Sequence, residues 1–516
     1  MTWWMEALAA ATPIVVILVA MIFFKKSAAT AGILGLVLTA ALAALYFGFP
    51  ELADRDQEIL VGMSGAFAEA GFTAATILWI IFGALCVHQL QMKSGAIKAL
   101  RDGIGSLSDD PRLVAILIAW FFALFMEGAA GFGTPVALAA PFLVGFGVPP
   151  VQAVTIVLIG HSVGVSFGAV GTPVMPQIAA TGFTGPEIAR VTGEYHALLG
   201  AVMLAAVLVL VTRQAREDDA ELVPVGRWFA LAAVSFLVPM WAISRWVGPE
   251  LPTMGGAIIG GSVFIVGLQI ARRFGGGQGQ GGEGGGREEE ENMSLWRAAS
   301  PYMVVIALIL VSRLIEPVQV ALQSVEFQWT LFGLFEGSFQ PLYHPGTILV
   351  LGAVAGGLIQ GASKKVFSEA LKAALKMLAP VTVALVAMLA ISRLMVHGAM
   401  IDVLAEAAAT TGDMWPLVAP VVGVLGTFVT GSATASNILF TDFQVASAER
   451  LNMDELRLIG AQGFGAAVGN IICPHNVIAG CATVGIAGRE GEVLQRTLGA
   501  CLLYVALGGI LAFIWI

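Results

Sequence analysis

Apolar stretches long enough to cross a bilayer, which takes about 20 residues in a helix, recur from one end of this chain to the other. They fall at 6–24, 28–48, 72–92, 113–126, 196–212, 226–247, 253–271, 301–316, 345–362, 373–397, 415–430 and 497–516. Only 12% of the residues are charged and 58% are hydrophobic, whereas soluble domains carry about 25% charged residues. The chain therefore reads as a polytopic helical membrane protein with lipid as its solvent. The first stretch runs into Lys25 and Lys26 without a small-residue cleavage site, so it reads as a span and not as a cleaved signal. Cys86, Cys473, Cys481 and Cys501 show no Cys-x-x-Cys spacing and read as small apolar packers.

Short cytoplasmic loops carry the excess of lysine and arginine, and the 26 such residues here are clustered. Lys25 and Lys26; Lys93, Lys98, Arg101 and Arg112; Arg213, Arg216 and Arg227; Arg272, Arg273, Arg287 and Arg297; Lys364, Lys365, Lys372 and Lys376; and Arg489 and Arg496 all go inside. The opposite connections, "PELADRDQE" and "GPELP", are acidic or neutral, which puts the N-terminus outside. One low-complexity segment, "GGGQGQGGEGGGREEEEN", has nothing apolar to bury and reads as a disordered cytoplasmic linker within 272–297. Its acidic run accounts for much of the net charge of -9, so no nucleic-acid surface is implied.

Internal similarity organises the rest. "GHSVGVSFGAVGTPV" (160–174) and "QGFGAAVGNIICPHNV" (462–477) share Gly164, Gly168 and Pro173 against Gly465, Gly469 and Pro474, each pair 301 positions apart. Upstream, "EGAAGFGTP" (127–135) lies opposite "TGSATASNI" (430–438) at nearly the same offset. The charge map runs the helix before the first motif outward and the helix before the second inward, so the repeats are inverted. The expected fold is all-α and polytopic, with about 12 spans plus broken or re-entrant segments in two inverted repeats. The first repeat is 1–212 with its broken motif at 127–174. A two-span connector at 213–271 and the linker at 272–297 follow, and the second repeat is 298–516 with its broken motif at 430–477. Gly/Pro-interrupted segments at matching positions of inverted repeats point to a secondary transporter with its site near the midplane.

Within those motifs Glu127 stands out, because an intramembrane carboxylate is expensive and marks an ion or substrate pathway by default. It either pins a neighbouring hairpin through that hairpin's amides or carries a proton or substrate, and the second role is favoured. Gly131, Gly133, Pro135 and Pro141 can break a helix and free backbone groups that suit an anion, and Thr134, Gly168 and Thr172 join them as candidate binding residues. Ser432, Thr434, Ser436 and Asn437 offer small hydrogen-bonding groups from the other repeat, joined by Gln462, Asn470 and Asn476. His161 and His475 either bind or bridge helices. Arg313 and Arg393, near the outer ends of their spans, read as snorkelling side chains with carboxylate clamps as the lesser reading, and Asp442 reads as a loop cap at the cytoplasmic surface in preference to an ion-pathway residue.

At these residues the chain resembles the L-lactate permease family, whose members also take up glycolate. "EGAAGFGTPVA" and "TGSATASNILF" are similar to its two signature stretches, and "GPELP" and "CATVGIAGRE" resemble further family segments. The chain departs from the family pattern at Ala433, where the family has aspartate, and at Thr134, where it has alanine. The resemblance implies a proton-coupled importer of short 2-hydroxymonocarboxylates in the inner membrane, in a superfamily whose members are often dimers, so a homodimer is an expected assembly. No cofactor is implied beyond the coupling proton. Other classes fit less well: a channel needs a continuous polar pore, an enzyme needs clustered acids, histidines or metal ligands, and an ATP-driven pump needs a G-x-x-x-x-G-K-[ST] loop that is missing.

Overall fold

The computed structural model of the chain describes residues 3–22, 24, 26–52, 58–99, 110–131, 133–217, 224–274, 293–487 and 489–516. Residues 275–292 of the expected linker, 53–57 of the acidic loop, and Lys25, Arg101 and Arg287 lie outside the described residues. Twelve described helices are long and apolar enough to span a membrane. That is the expected number, but not the expected set. The stretches at 6–24 and 345–362 fall on the shorter apolar helices Trp3–Ile17 and Pro345–Gln360, while Pro150–Ala180 and Glu455–Thr483, read from sequence only as broken motifs, are among the long ones. Their glycines and polar residues lower the hydropathy that reveals an ordinary span.

Burial shows what these two segments are for. The most apolar window of Pro150–Ala180 is 100% buried and that of Glu455–Thr483 is 83% buried, as is 94% of Pro111–Ala129, whereas every other long helix buries between 28% and 50%. Three segments thus form a protein-enclosed centre, and the others turn a face to lipid.

The first half contains α1 (Trp3–Ile22), α2 (Ala28–Leu42), α3 (Glu58–Lys93) and α4 (Pro111–Ala129), the last π-helical over Ile116–Phe122. It continues with α5 (Thr134–Gly145), α6 (Pro150–His161), α7 (Met175–Ala180) and α8 (Gly185–Glu217), and then the connector helices α9 (Gly226–Trp246) and α10 (Pro252–Phe274). Next come α11 (Leu295–Leu314), α12 (Glu316–Gln323) and a hairpin of β1 (Phe327–Leu331) with β2 (Phe335–Phe339). The second half ends with α13 (Pro345–Gln360), α14 (Lys364–His397), α15 (Met400–Ala409), α16 (Trp415–Thr430), α17 (Ala433–Leu451), α18 (Glu455–Gly469), α19 (Pro474–Thr483) and α20 (Glu490–Trp515). Several helices begin at side-chain caps: Asp110 accepts from Arg112 N at 2.8 Å, Ser363 from Val366 N at 3.3 Å and Asp454 from Arg457 N at 2.9 Å.

The hairpin has no counterpart in the sequence reading. It pairs antiparallel, Phe327 with Phe339 through Leu331 with Phe335, and drops Phe335 onto Gly65 of α3 and against His397. Helices α3 and α14 run antiparallel, with His397 Nε2 2.8 Å from Glu69 Oε2 near one end and Gln89 donating to Met377 Sδ near the other.

Arg313 and Arg393 do not snorkel. Arg313 Nη2 reaches Glu250 Oε1 at 2.7 Å, both side chains are 6% exposed, and the guanidinium lies 3.6 Å from the centroid of Tyr343. Arg393 pairs with Asp442, which sits in mid-helix on α17 and not in a loop. Unpaired charges at such depth would be expensive, so each cation took the nearest acid on another element instead of water. Removing one partner of a buried pair costs about 3–5 kcal/mol. Arg313→Met should therefore lower the thermal unfolding temperature of the purified protein in detergent, and Arg313→Met with Glu250→Leu should recover much of the loss. A double variant no more stable than the single one would show that charge pairing is not what Arg313 contributes.

Candidate functional site

Helix α4 ends two residues after Glu127, and the chain reverses through Gly131 at φ +56 and Gly133 at φ +78 before Thr134 and Pro135 open α5. These left-handed values are ones that glycine adopts at no steric cost. Glu127 is 4% exposed and points at the end of α6, where its Oε2 is 3.8 Å from His161 Nε2. That separation is too long for a hydrogen bond, but not for electrostatic pairing.

His161 is fully buried. Its Nδ1 donates to Val157 O at 2.6 Å, and its Nε2 faces Asn470 Oδ1 at 3.1 Å. The same oxygen accepts from Asn476 Nδ2 at 2.7 Å. Both ring nitrogens therefore face acceptors, and Glu127 stands beside them. From the other side, a Cβ at Gly133 would lie 3.0 Å from Asn476 Oδ1 and 3.8 Å from His475 Nε2, and one at Gly431 would lie 3.4 Å from His475 Cβ. His475 thus sits between the two chain reversals.

After α6 the helix tightens over Ser162–Phe167 and then breaks. One glycine of the break, Gly171, takes a left-handed φ of +79, but Gly168 does not. Gly168 has φ -65, while Ala169 and Val170 take φ +42 and +56. A positive φ is a true outlier for β-branched valine, and such residues persist only where the surroundings fix them. Gly168 is needed for space instead, since a Cβ there would run into the Glu127 carboxylate. The repeated glycines agree in this respect. Gly164 meets Thr253 of α10 first and then Leu124 of α4, Gly168 meets Glu127 on α4, and Gly465 meets the Pro420 carbonyl and Gly469 the Val424 carbonyl on α16.

The remaining sequence-predicted residues form a second buried network. Asn437 Nδ2 donates to Pro173 O at 2.8 Å, tying one broken motif to the other. Gln462 Nε2 donates to Ser436 Oγ at 3.3 Å and to Asn437 Oδ1 at 3.4 Å, and Ser436 Oγ donates to Gly423 O at 2.8 Å. Gln444 and Trp415 extend the chain through Gln462 Oε1 and Gln444 Oε1. Thr172 Oγ1 donates to Ala169 O at 2.6 Å, Ser432 caps α17 through Ala435 N, and Thr434 is buried at the same turn. Glu127, Gly131, Gly133, Gly168, His161, Asn470, His475 and Asn476 thus gather around one centre, and Thr172, Ser436, Asn437 and Gln462 around another. The segment 168–173 runs between them.

Sequence reasoning passed over a third link. Ser166 Oγ donates to Gly463 O at 3.1 Å and accepts from His196 Nε2 at 2.8 Å, while His196 Nδ1 takes the Tyr504 hydroxyl at 2.9 Å. Every group in it is buried and used. His196 lies in a run of ordinary helix-forming residues, so nothing local marked it. Among the described residues no group of three or more His, Cys, Asp or Glu is arranged to hold a metal ion.

Broken helices meeting at the enclosed centre of a multi-helix bundle, with ionisable groups at the break, define a multi-pass membrane transporter, not an enzyme. The chain belongs to the L-lactate permease family, whose model matches residues 6–516. It is 28% identical over 552 residues to the L-lactate permease of Bacillus subtilis (strain 168), covering 99% of this chain and 96% of that one. It is also 28% identical over 555 residues to the glycolate permease GlcA of Escherichia coli (strain K12), covering 99% and 95%. In architecture it is similar to the crystal structure of the Alcanivorax borkumensis YdaH transporter, with a TM-score of 0.54 and 14% identity over 95% of this chain and 98% of that one.

Because Gly168 has an ordinary φ, Gly168→Ala isolates the steric conflict with Glu127 from any backbone effect. It should abolish transport or insertion, and shortening the acid in Gly168→Ala with Glu127→Asp should restore a folded, membrane-inserted protein. Wild-type uptake by Gly168→Ala alone would show that the carboxylate does not need that space.

Proposed function

We propose that this protein is a secondary active transporter that imports L-lactate, glycolate or a similar short 2-hydroxymonocarboxylate across the inner membrane by proton symport. Relatives that are L-lactate and glycolate permeases over nearly the whole chain support the substrate class. The matched glycines, each packed on the helix that ends in the same half's other motif, support the reading of two inverted repeats. The basic clusters support an external N-terminus.

The observation that carries the coupling is Glu127 within 3.8 Å of His161, with both imidazole nitrogens facing acceptors. Such a pair holds one proton more easily than none. An organic anion arriving beside an ionised, buried carboxylate meets like-charge repulsion, and a proton shared between Glu127 and His161 removes it. Binding of the anion and of the proton then favour each other by the same factor, the reciprocity that symport requires. The N-terminus of α5, opened by the reversal through Gly131 and Gly133, points its dipole at the carboxylate. Asn476 stands opposite as a polar wall.

Glu127→Gln imitates the protonated acid. The variant should exchange substrate across proteoliposomes in counterflow yet lose accumulation driven by a pH gradient. If it concentrates substrate as well as the parent does, the coupling proton resides elsewhere.

Substrate class is tested separately by counterflow with labelled acids. Lactate and glycolate should exchange faster than succinate or citrate, because one carboxylate and one hydroxyl match the donors at the breaks. Faster exchange of a di- or tricarboxylate would overturn the assignment.

A further inference from the structure

A cavity of about 590 Å³ lies beneath the β1–β2 hairpin, walled by α3, α14, α7 and the second turn of α17. It is within the size range of small-molecule sites. Its floor includes Pro176, just past the break at Pro173, and Ile438, next to Asn437. It therefore abuts the interface where the two broken motifs are tied together. Its lining residues on α3 and α14, Glu69, Thr73, Leu389, Ser392 and Arg393, lie toward the ends of those helices opposite Lys93 and Lys364, the outer side by the distribution of basic residues.

Arg393 is the one lysine or arginine among the described residues lining it. The guanidinium is held by Asp442 at 2.5 Å and touches Ser392 Oγ at 3.4 Å, and both contacts use Nη2 alone. Among the described residues, Nε and Nη1 have no acceptor. Asp442 is better supplied, since Ser392 Oγ also donates to its Oδ2 at 2.8 Å. The other charged groups on the cavity are Glu69, held by His397 at 2.8 Å, and Glu336 on the hairpin. The surroundings are thus acidic apart from one arginine. A free anion has a single place to go.

We propose that this cavity is the outer capture site for the carboxylate, where Arg393 takes the incoming monocarboxylate in a two-pronged bond and Asp442 is the internal anion that it displaces. The guanidinium fork matches a carboxylate bidentately, and an arginine already committed to an acid through one nitrogen has that fork half formed. Displaced Asp442 keeps Ser392 as a donor, so the exchange does not strand a bare charge. The site is specific for small anions because the hairpin roofs it, with Trp329 packed on Phe72 and Phe335 seated over Gly65. The inference rests on the reading of the protein as a monocarboxylate importer.

The two residues should act in opposite directions. In intact cells, Arg393→Gln should raise the external KM for lactate about ten- to a hundredfold, the size expected for a lost hydrogen bond to a charged group. The KM measured in inside-out vesicles should change far less. Asp442→Asn removes the competitor and should lower the external KM or leave it unchanged. A purely structural ion pair predicts that both variants lose protein alike and that whatever survives keeps the parental KM on both faces. That result, or a raised external KM in Asp442→Asn, would overturn the proposal. If Arg393→Gln does not insert, Arg393→Lys retains the charge without the fork and should show an intermediate external KM; a parental value would again refute the site. Failure of the parent to transport any short monocarboxylate would instead refute the importer reading, independently of either variant.

Discussion

In lipid an unsatisfied backbone N–H or C=O costs several kcal/mol, so irregular chain at membrane depth survives only inside protein. This constraint orders the whole molecule. Two helices are interrupted, at 168–174 and at 470–473, and together with α4 they are the helices that the others bury most completely. The surrounding spans have lipid-facing sides because their own backbones are closed. The centre is enclosed because its backbone is not.

Enclosure then dictates the side-chain chemistry. Once the breaks are surrounded by protein, the carbonyls and hydroxyls near them must find partners within the bundle, and most of those partners come from the opposite half of the chain. Asn437 takes the Pro173 carbonyl, Ser166 takes that of Gly463, and Asn470 and Asn476 close around His161. The polar interior is a seam between halves, and a seam of directional bonds has few alternative registers.

Much of this was legible in one sequence because its cause is local. Glycines and prolines at a repeated spacing reveal broken helices, and a carboxylate in an apolar run reveals itself by its cost. Other features depend on distance in space. Arg393 and Asp442 are 49 residues apart, Arg313 and Glu250 63, and a lone arginine near a helix end looks the same whether it reaches water or a hidden acid. Polar residues also misled the reading of spans: Pro150–Ala180 and Glu455–Thr483 look unlike membrane helices because they face protein. The β-hairpin was invisible for a simpler reason, since ten strand residues amid several hundred helical ones carry too little pattern. At Gly168 spacing cannot distinguish a glycine needed for its φ from one needed for room, and the structure gives it an ordinary φ beside the Glu127 carboxylate.

The bond between His161 and Asn470 joins residues 309 positions apart, and this has a consequence for biogenesis. At 5–20 residues per second a ribosome needs about 15–60 s to travel that far. Throughout that interval Glu127 and His161 are already made while Asn470 and Asn476 do not yet exist. A membrane-inserted first half must wait with its acid and imidazole beside each other, the imidazole held only by the Val157 carbonyl of its own helix. The Glu127–His161 pair is thus available to the nascent chain before any contact with the second half, and it serves the inserted half before it serves the finished protein.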